Sequence, residues 1–356
     1  MKKIMFLAAT LGGGGAERVM LNLANQMAQS DNQVTLVVTS TREVQEYEVD
    51  DKIELIRLMP KNNNKLLKVA EKLKLLRNLY HSHKDYTVIS FFPDINIYAI
   101  AARVGMKNKI ILSERNDPAR EPSQKLLRAF RRICYPLADK IVFQTKDAMA
   151  YFSKNVQLKG VIIPNPLNLS KFPIPDLNGE KQKRIVMFCR IKPQKNIEMM
   201  LRAIDRIRDR LNGVIVEIYG DGAKYMEGII QKCSDIGLDG TVKFMGQTDR
   251  VYDILNSSLL YVSTSNYEGI SNTMLEALAM GVPSIVTDCP IGGARMFIQH
   301  NENGILVPVN DDKELAQAIL ELLENDALRK KLATNAIKIR QILDLKIIAE
   351  EWLKYC

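Results

Sequence analysis

Two cations and two carboxylates in the second half of the chain are spaced as a diphosphate site would need them. Arg190 and Lys195 lie within Cys189-Arg190-Ile191-Lys192-Pro193-Gln194-Lys195-Asn196, between an apolar run that reads as a strand and a segment that reads as a helix. At the carboxyl end of a strand, arginine can bind phosphate oxygens bidentately and lysine adds a point charge, so the pair could neutralise a departing diphosphate. Glu268 and Glu276 are separated by seven residues, Gly269-Ile270-Ser271-Asn272-Thr273-Met274-Leu275, which open a helix. Free backbone N–H groups at a helix start favour a phosphate, and the two carboxylates can accept hydrogen bonds from sugar or ribose hydroxyls. Surface ion pairing is the ordinary alternative for the cations, and chance placement for the glutamates. Their occurrence together favours a site for a diphosphate that carries a sugar or a ribose.

The first half offers a glycine loop, Gly12-Gly13-Gly14-Gly15-Ala16-Glu17-Arg18, after the first apolar run and before a helix. Glycine lets backbone approach a ligand closely, and the helix N-terminus offers N–H groups to an anion. A tight structural turn is the alternative. The spacing misses G-x-G-x-x-G, with Glu17 near the place of the third glycine, and no acidic residue clearly closes the second strand to hold a ribose, which argues against a nicotinamide site. A second strand-end run is Ser113-Glu114-Arg115-Asn116. His81, His83 and His300, the only histidines, fall in helical or loop contexts that read as surface.

The elements that must hold these residues alternate. Apolar runs at Lys3–Ala9, Val34–Thr39, Thr87–Phe91, Lys109–Ser113, Lys140–Gln144 and Gly160–Pro164 read as buried strands with helices between them, which implies a parallel sheet covered on both faces. The run from Pro164 to Asp176, with four prolines, followed by Asn178-Gly179-Glu180-Lys181, reads as a connection between domains. The alternation restarts at Arg184–Cys189 and continues through Val214–Tyr219, Thr241–Met245, Leu259–Ser263, Pro283–Thr287 and Gly304–Pro308, and helical patterns close it at Lys313–Glu324, Ala327–Ile342 and Leu345–Tyr355. The expected domains are 1–165 and 184–342, joined by 166–183. Two such domains facing each other would leave a cleft at the carboxyl ends of their sheets, where open α/β sheets bind ligands.

A length of 356 residues suits two such domains. The five cysteines have no paired spacing and read as reduced thiols in a cytosolic protein rather than as a disulfide framework. Lys2 and Lys3 before Ile4–Ala9 have the charge order of an export signal, but the run is short and passes straight into the glycine loop, so a buried first strand is the reading adopted. No run approaches the roughly 20 apolar residues of a membrane span. The net charge of +9 is unevenly spread. In Asn64–Tyr80, Leu66, Val69, Leu73, Leu76 and Tyr80 form one helical stripe flanked by Lys65, Lys68 and Lys72. In Gln124–Tyr135, Leu126, Leu127, Phe130, Ile133 and Cys134 fall on one side of a helix and Lys125, Arg128, Arg131 and Arg132 on the other. These basic faces are either ordinary solvated surface or docking faces for anionic lipid headgroups, where each charge contributes about 1 kcal/mol. Nucleic-acid binding has no support beyond net charge.

Arg190 with Lys195, Glu268 with Glu276, Tyr219-Gly220-Asp221-Gly222, the run Val242 to Gly246 and the run Asn303 to Pro308 together resemble the retaining glycosyltransferases of family four, over nearly the whole chain. The resemblance implies the GT-B fold: α/β, two Rossmann-like doubly wound domains with an interdomain cleft, and a C-terminal helix, 343–356 with Trp352, crossing back to the first domain. It implies that Arg190 and Lys195 bind the donor diphosphate, Glu276 the ribose, and Glu268 with the Gly269–Ser271 backbone the donor sugar, so that Arg190, Lys195 and Glu268 are the catalytic candidates. Gly14, Gly15, Gly220, Gly246, Ile270, Asn272 and Thr273 complete the donor set, and Gly13, Gly14, Glu17, Glu114, Arg115 and Asn116 the acceptor set. No cofactor or metal is expected, and Asp50-Asp51 and Asp311-Asp312 read as solvated turns. The resemblance favours UDP and an N-acetylated hexosamine as donor. With the basic faces it favours a polyprenyl-diphosphate-linked glycan acceptor at the inner face of the cell membrane. The chain departs from the family where relatives often carry a histidine, here Arg115-Asn116, and where they often carry Gly-Gly-x-x-Glu, here Gly292-Gly293-Ala294-Arg295-Met296. A non-catalytic subunit of the same fold is the alternative from another class; a sugar-nucleotide epimerase and a dehydrogenase rank below it.

Overall fold

The computed structural model describes residues 1–40 and 47–356. The chain divides into two compact units, one formed by Met1–Pro166 with Leu343–Cys356 and the other by Leu167–Ile342.

Unit 1 is built on seven strands, β1 (Lys3–Ala8), β2 (Gln33–Val38), β3 (Glu54–Arg57), β4 (Thr87–Phe91), β5 (Lys109–Glu114), β6 (Lys140–Phe143) and β7 (Gly160–Ile162), in the order β3-β2-β1-β4-β5-β6-β7. All pairings are parallel. Ile4-Met5-Phe6-Leu7-Ala8 is completely buried, as the middle of a sheet covered on both faces requires. Six of these strands coincide with the apolar runs. The seventh, β3, has no such signature: it is a short edge strand laddered only to β2, with Glu54, Leu55 and Arg57 exposed, and edge strands carry charge and little core. The helices are α1 (Gly15–Gln29), α2 (Lys65–Ser82), α3 (Pro93–Arg103), α4 (Lys125–Cys134), α5 (Lys146–Ala150) and α6 (Lys154–Gln157).

Unit 2 carries β8 (Gln182–Phe188), β9 (Ile215–Tyr219), β10 (Val242–Gly246), β11 (Ser258–Ser263), β12 (Ser284–Thr287) and β13 (Ile305–Val307), again all parallel, in the order β10-β9-β8-β11-β12-β13. Its helices are α7 (Ile197–Ile207), α8 (Ala223–Asp235), α9 (Val251–Ser257), α10 (Asn272–Ala279), α11 (Asp312–Glu324) and α12 (Asp326–Ala336). Ile204 of α7 and Leu315, Ile319 and Leu322 of α11 join one core with Ile185, Met187, Val216, Ile218, Leu260 and Val262 of the sheet. The proline-rich run before β8 is fastened to this unit: Phe172 stacks on Tyr252 with ring centres 4.2 Å apart, and the Asn256 side chain and carbonyl accept hydrogen bonds from Asp176 N and Lys181 Nζ.

Two last helices, α13 (Arg340–Leu343) and α14 (Leu345–Leu353), take the chain back to unit 1, where α14 packs on α1. Trp352 is fully buried there, 5.5 Å from the ring of Phe91 at the end of β4.

The two basic helices sit otherwise than their wheels imply. α3 packs against both α2 and α4. On α2 only Leu76 and Tyr80 of the expected stripe are buried; Leu66 is 81% exposed, and Leu67 and Val69 are exposed as well. On α4 the inward stripe contains Arg131 and Cys134, while Leu126 (68% exposed), Phe130 and Ile133 (65%) face out. Arg131 therefore does not belong to the outer basic face, a correction to the sequence reading. Its guanidinium donates to the carbonyls of Glu121 and Pro118 at 2.7 Å, lies 5.4 and 5.1 Å from the ring centres of Tyr151 and Phe152, and sits 3.7 Å from Glu114. A charge so well supplied with acceptors and ring faces is stable inside, and it turns the helix so that leucine, phenylalanine and isoleucine are left outside.

The buried ring of Trp352 predicts the energetic role of α14. Trp352→Ala should lower the unfolding free energy by about 3–5 kcal/mol, read by urea denaturation followed by circular dichroism. Hydrogen–deuterium exchange should rise across 1–166 and stay unchanged across 167–342; protection lost equally in both units would show that the helix does not act on unit 1 alone.

Candidate functional site

In each sheet the strand order reverses once, between β1 and β4 in unit 1 and between β8 and β11 in unit 2. Loops leaving two such neighbouring strands run to opposite sides and open a crevice at the carboxyl ends. In unit 2 the loops at this edge carry Arg190, Lys195 and Glu268, while Gly14 and Gly15 of the expected donor set belong to unit 1. β8 ends at Phe188, followed by Cys189, an exposed Arg190, and a turn at Pro193–Lys195 that leads into α7 through Asn196 in the left-handed region (φ 47°). β11 ends at Ser263 and is followed by the loop that carries Glu268 to the start of α10.

The two loops are sewn together. Thr264 Oγ1 donates to the carbonyls of Lys195 (2.8 Å) and Asn196 (3.0 Å). Asn266 N donates to the Gln194 carbonyl at 2.8 Å, and Gln194 Nε2 returns a bond to the Tyr267 carbonyl at 2.9 Å. The Asn196 amide donates to the side chains of Asn266 and Asn310. The result is an ion pair between Lys195 Nζ and Glu268 Oε2, both largely shielded from solvent, with Ser265 Oγ also donating to the carboxylate. Burial by itself would pull the Lys195 pKa down; the charge of Glu268 and its hydrogen bond more than reverse this and hold the ammonium above its ordinary 10.5. Cys189 and Cys289 lie near this pair, and burial pushes both thiols up to about 12, so neither is a thiolate at neutral pH.

Ser271 caps α10 by accepting from Met274 N, and Thr273 Oγ1 lies 3.0 Å from the Tyr261 hydroxyl. Glu276 is buried one turn into the same helix, among Met274, Leu275 and Ala277. Close backbone packing fixes these loops. Gly220 N donates to the Gly246 carbonyl, and a Cβ on Gly220 would stand 1.7 Å from the Cys189 carbonyl oxygen. Behind the Glu268 loop, a Cβ on Gly293 would stand 1.9 Å from the Gly269 carbonyl oxygen. Gly293 belongs to the Gly292-Gly293 run noted above only for its departure from the family; sequence reasoning gave it no role, although a Gly-Gly pair is the signal of such close approach. Thr264 and Asn266 were missed, and Asn196, named in the run after β8, was given no role, since isolated polar residues carry no pattern.

In unit 1 the expected residues separate. Gly13 (φ 87°) and Gly15 are exposed, Gly14 precedes α1 in extended conformation, and Glu17 lies in the first turn. Asn116 Oδ1 accepts from Asp117 N at 2.9 Å and shapes its own loop. Glu114 is 1% exposed and faces inward, accepting a hydrogen bond from the Tyr135 hydroxyl at 2.9 Å, with the Arg131 guanidinium 3.7 Å away. Arg115 points the other way from Glu114, with its guanidinium over the Phe91 ring. Among the described residues, no three His, Cys, Asp or Glu side chains are grouped to hold a metal ion.

With this geometry in hand, residues 13–171 match the family model described as Glycosyltransferase Family 4, and residues 182–325 the model described as Glycosyl transferases group 1. The chain belongs to glycosyltransferase family four. One curated relative is the Campylobacter jejuni enzyme named GalNAc-alpha-(1->4)-GalNAc-alpha-(1->3)-diNAcBac-PP-undecaprenol alpha-1,4-N-acetyl-D-galactosaminyltransferase, 29% identical, with 99% of this chain and 98% of the relative aligned. Among solved structures, the sucrose-phosphate synthase of Thermosynechococcus elongatus superposes with a TM-score of 0.85 at 20% identity, over 99% of this chain and 98% of that one. Anabaena HepE in complex with UDP and glucose superposes with a TM-score of 0.82 at 17% identity, over 99% of each chain. The fold of this family-four glycosyltransferase is therefore GT-B, with two Rossmann-like parallel-sheet domains, and it is a glycosyltransferase by family.

The buried Glu114 gives the glycosyltransferase a pH-dependent stability. Burial, opposed by Arg131 and by the Tyr135 hydrogen bond, pushes its carboxyl up to about 7 from an ordinary 4.5. The folded chain then binds more protons than the unfolded chain between these values, so this contribution is full below about 4.5 and is lost as pH rises through about 7. Melting temperatures measured from pH 5 to pH 8 should fall in the wild type and fall less in Glu114→Gln; identical slopes would mean that the carboxyl is ionised throughout.

Proposed function

We propose that this glycosyltransferase moves a sugar from a UDP-sugar, with an N-acetylated hexosamine preferred, to a polyprenyl-diphosphate-linked glycan, with retention of anomeric configuration and without a metal. The observation that carries the donor half is the Lys195–Glu268 ion pair at the strand-order reversal of unit 2, beside the N-terminus of α10. A lysine kept charged by its carboxylate is ready to stabilise negative charge as the bond between the anomeric carbon and the diphosphate oxygen breaks, and such fixed cations act most strongly where water is excluded. Arg190 supplies a second cation at the same strand end, Glu276 the ribose contact, and Glu268 with the Gly269–Ser271 backbone the sugar contacts. Phosphate oxygens entering this crevice would share Lys195 with Glu268, leaving the carboxylate able to accept from sugar hydroxyls. The proposed reaction is a same-face substitution that needs no enzyme nucleophile, which agrees with the protonated state of Cys189 and Cys289. The full-length similarity to a transferase whose name specifies an undecaprenol-linked acceptor, and to a structure containing UDP, supports the choice of substrates.

The acceptor half draws support from the outer faces of α2 and α4. Leu66 and Leu67 on α2 and Leu126, Phe130 and Ile133 on α4 are exposed, with Leu137 just beyond, and Lys65, Lys125 and Arg132 are exposed beside them. Leu126, Phe130, Ile133 and Leu137 follow helical spacing and form one stripe. Apolar side chains that enter the acyl boundary, ringed by cations for anionic headgroups, are the pattern of a helix that lies on a bilayer. Lys68 and Lys72 of α2 are half-buried, the Lys72 ammonium lying 5.7 Å from the Tyr98 ring centre, while Arg128 is partly occupied by the carbonyls of Pro122 and Arg120. No helix among the described residues is long and apolar enough to cross a membrane, so the proposed association is with the surface of the inner leaflet.

Calorimetry with UDP, GDP and NADH tests the donor site first. UDP should bind, and Arg190→Ala and Lys195→Ala should each weaken it and reduce transfer at least a hundredfold while circular dichroism stays unchanged; near-normal turnover in both variants would remove the phosphate-clamp assignment, and failure to bind any nucleoside diphosphate would favour a non-catalytic subunit. For the surface, co-sedimentation with phosphatidylglycerol-containing vesicles should exceed that with neutral phosphatidylcholine vesicles. It should drop at least tenfold in a Leu126→Glu, Ile133→Glu double variant, and become less salt-sensitive when Lys65, Lys125 and Arg132 are changed to serine. Binding indifferent to both lipid charge and these variants would sink the membrane reading.

A further inference from the structure

Arg115 stands at the carboxyl edge of the unit 1 sheet with a guanidinium that is held in place but not neutralised. Its Nη2 donates to Asn165 Oδ1 at 2.6 Å, and the same oxygen accepts from Gln144 Nε2 at 2.7 Å, so the loop after β7 clamps one corner of the group. The face of the group lies 4.8 Å from the centre of the Phe91 ring, which is backed in turn by Trp352. The other nitrogens, Nε and Nη1, are buried and have no hydrogen-bond partner among the described residues, and burial is what acts on the charge of the group, with no neighbouring carboxylate offsetting it among those residues. The residue as a whole, backbone included, is half-buried. Burial draws the Arg115 pKa down to about 9, which still leaves the group cationic at neutral pH.

A fixed cation with idle donors destabilises a fold that gains nothing from it. The contrast with its neighbour is instructive: Arg131, sixteen positions on, uses two backbone carbonyls, two rings and Glu114 to satisfy its charge. Arg115 has comparable restraint and lacks the acceptors. The adjoining backbone is unusual as well, since Phe92, which follows Phe91, sits at φ 81°, a conformation that bulky residues seldom adopt and that collects at functional sites. The position lies one strand from the β1/β4 reversal, where the glycine loop also opens α1.

We propose that the Arg115 guanidinium is a receptor for a phosphate group, with its idle Nε–H and Nη1–H groups donating to phosphate oxygens. Resting on the glycosyltransferase reading above, the phosphate would come from the diphosphate of a lipid-linked acceptor, and the donor nucleotide is the other source of the same chemistry. Arginine at this place thus gives the chain an anion contact, where a histidine would give a contact suited to a hydroxyl.

The test is calorimetric titration of the full chain with two probes separately, farnesyl diphosphate as a short isoprenyl diphosphate and UDP. The proteins compared are wild type, Arg115→Gln, Arg115→Lys and Arg190→Ala. Arg115→Gln should bind farnesyl diphosphate at least tenfold more weakly and keep its UDP affinity, with Arg115→Lys intermediate. Its melting temperature without ligand should stay equal or rise, because an uncompensated buried charge has gone. Weakened UDP binding in place of weakened farnesyl diphosphate binding would keep the phosphate receptor and assign it to the donor. Affinity for both probes unchanged by either substitution, or a fallen melting temperature as the only effect, would overturn the proposal and make Arg115 a packing group on Phe91. Arg190→Ala reports independently on the donor site: UDP affinity unaffected there would count against the glycosyltransferase reading of unit 2 without touching Arg115.

Discussion

The ion pair between Lys195 and Glu268 depends on two strands, β8 and β11, that are neighbours in the sheet and far apart in the sequence. Parallel pairing forces both strands to deliver their following loops to the same edge. The reversal in strand order sends those loops apart, and the polar side chains then have to be tied back together. Thr264, Gln194, Asn196 and Asn266 do this through short bonds to backbone carbonyls and to each other. The glycines behind the loops are the complement of these ties. Backbone at Gly220 and Gly293 touches carbonyl oxygens that any side chain would displace, so the position of the charges is set by main-chain packing and not by the length of flexible side chains.

The chain treats its buried cations in three ways. Lys195 is compensated by a carboxylate, Arg131 is satisfied by carbonyls, aromatic faces and a carboxyl group, and Arg115 is restrained with donors to spare. These environments cannot be told apart by residue type. In each case the outcome is decided by which acceptors the fold brings within about 3 Å, the reach of a hydrogen bond.

Most strands were legible because a parallel sheet covered on both faces demands continuous apolar runs, and Lys3–Ala9 or Lys109–Ser113 can scarcely be anything else. β3 was not, because an edge strand with Glu54 and Arg57 at its ends has no such demand placed on it. On α4 the sequence reading held for Cys134, Lys125 and Arg132 but not for Arg131, which is buried, nor for Leu126, Phe130 and Ile133, which are exposed. A helical wheel weighs arginine as a surface residue, and only the folded loop from Asp117 to Gln124 reveals the carbonyls that receive Arg131. In the candidate donor site, the side chains with a recurring pattern, Arg190, Lys195, Glu268 and Glu276, were visible from spacing and resemblance. The ties that hold their loops were not, since a threonine or asparagine bonded to a distant carbonyl leaves no periodic trace. In the first unit the run Ser113 to Asn116 was correctly singled out as a strand end, but alternation along β5 turns Glu114 into the interior and leaves Arg115 beyond the last paired residue.

The return of α14 to unit 1 also orders events on the ribosome. Residues 343–356 are translated after the whole of unit 2, yet Trp352 fills a fully buried place against Phe91 and the Lys2 ammonium donates to the Cys356 carbonyl at 2.9 Å. The nascent first unit must therefore wait, with an apolar vacancy beside α1 and β4, through the synthesis of some 176 intervening residues, which at about 5–20 residues per second is roughly ten to thirty seconds. Unit 2 has no such dependence and can fold as it emerges. For an interval the chain is a finished second unit attached to an unfinished first one, and that interval is when its exposed apolar surface is most in need of a chaperone.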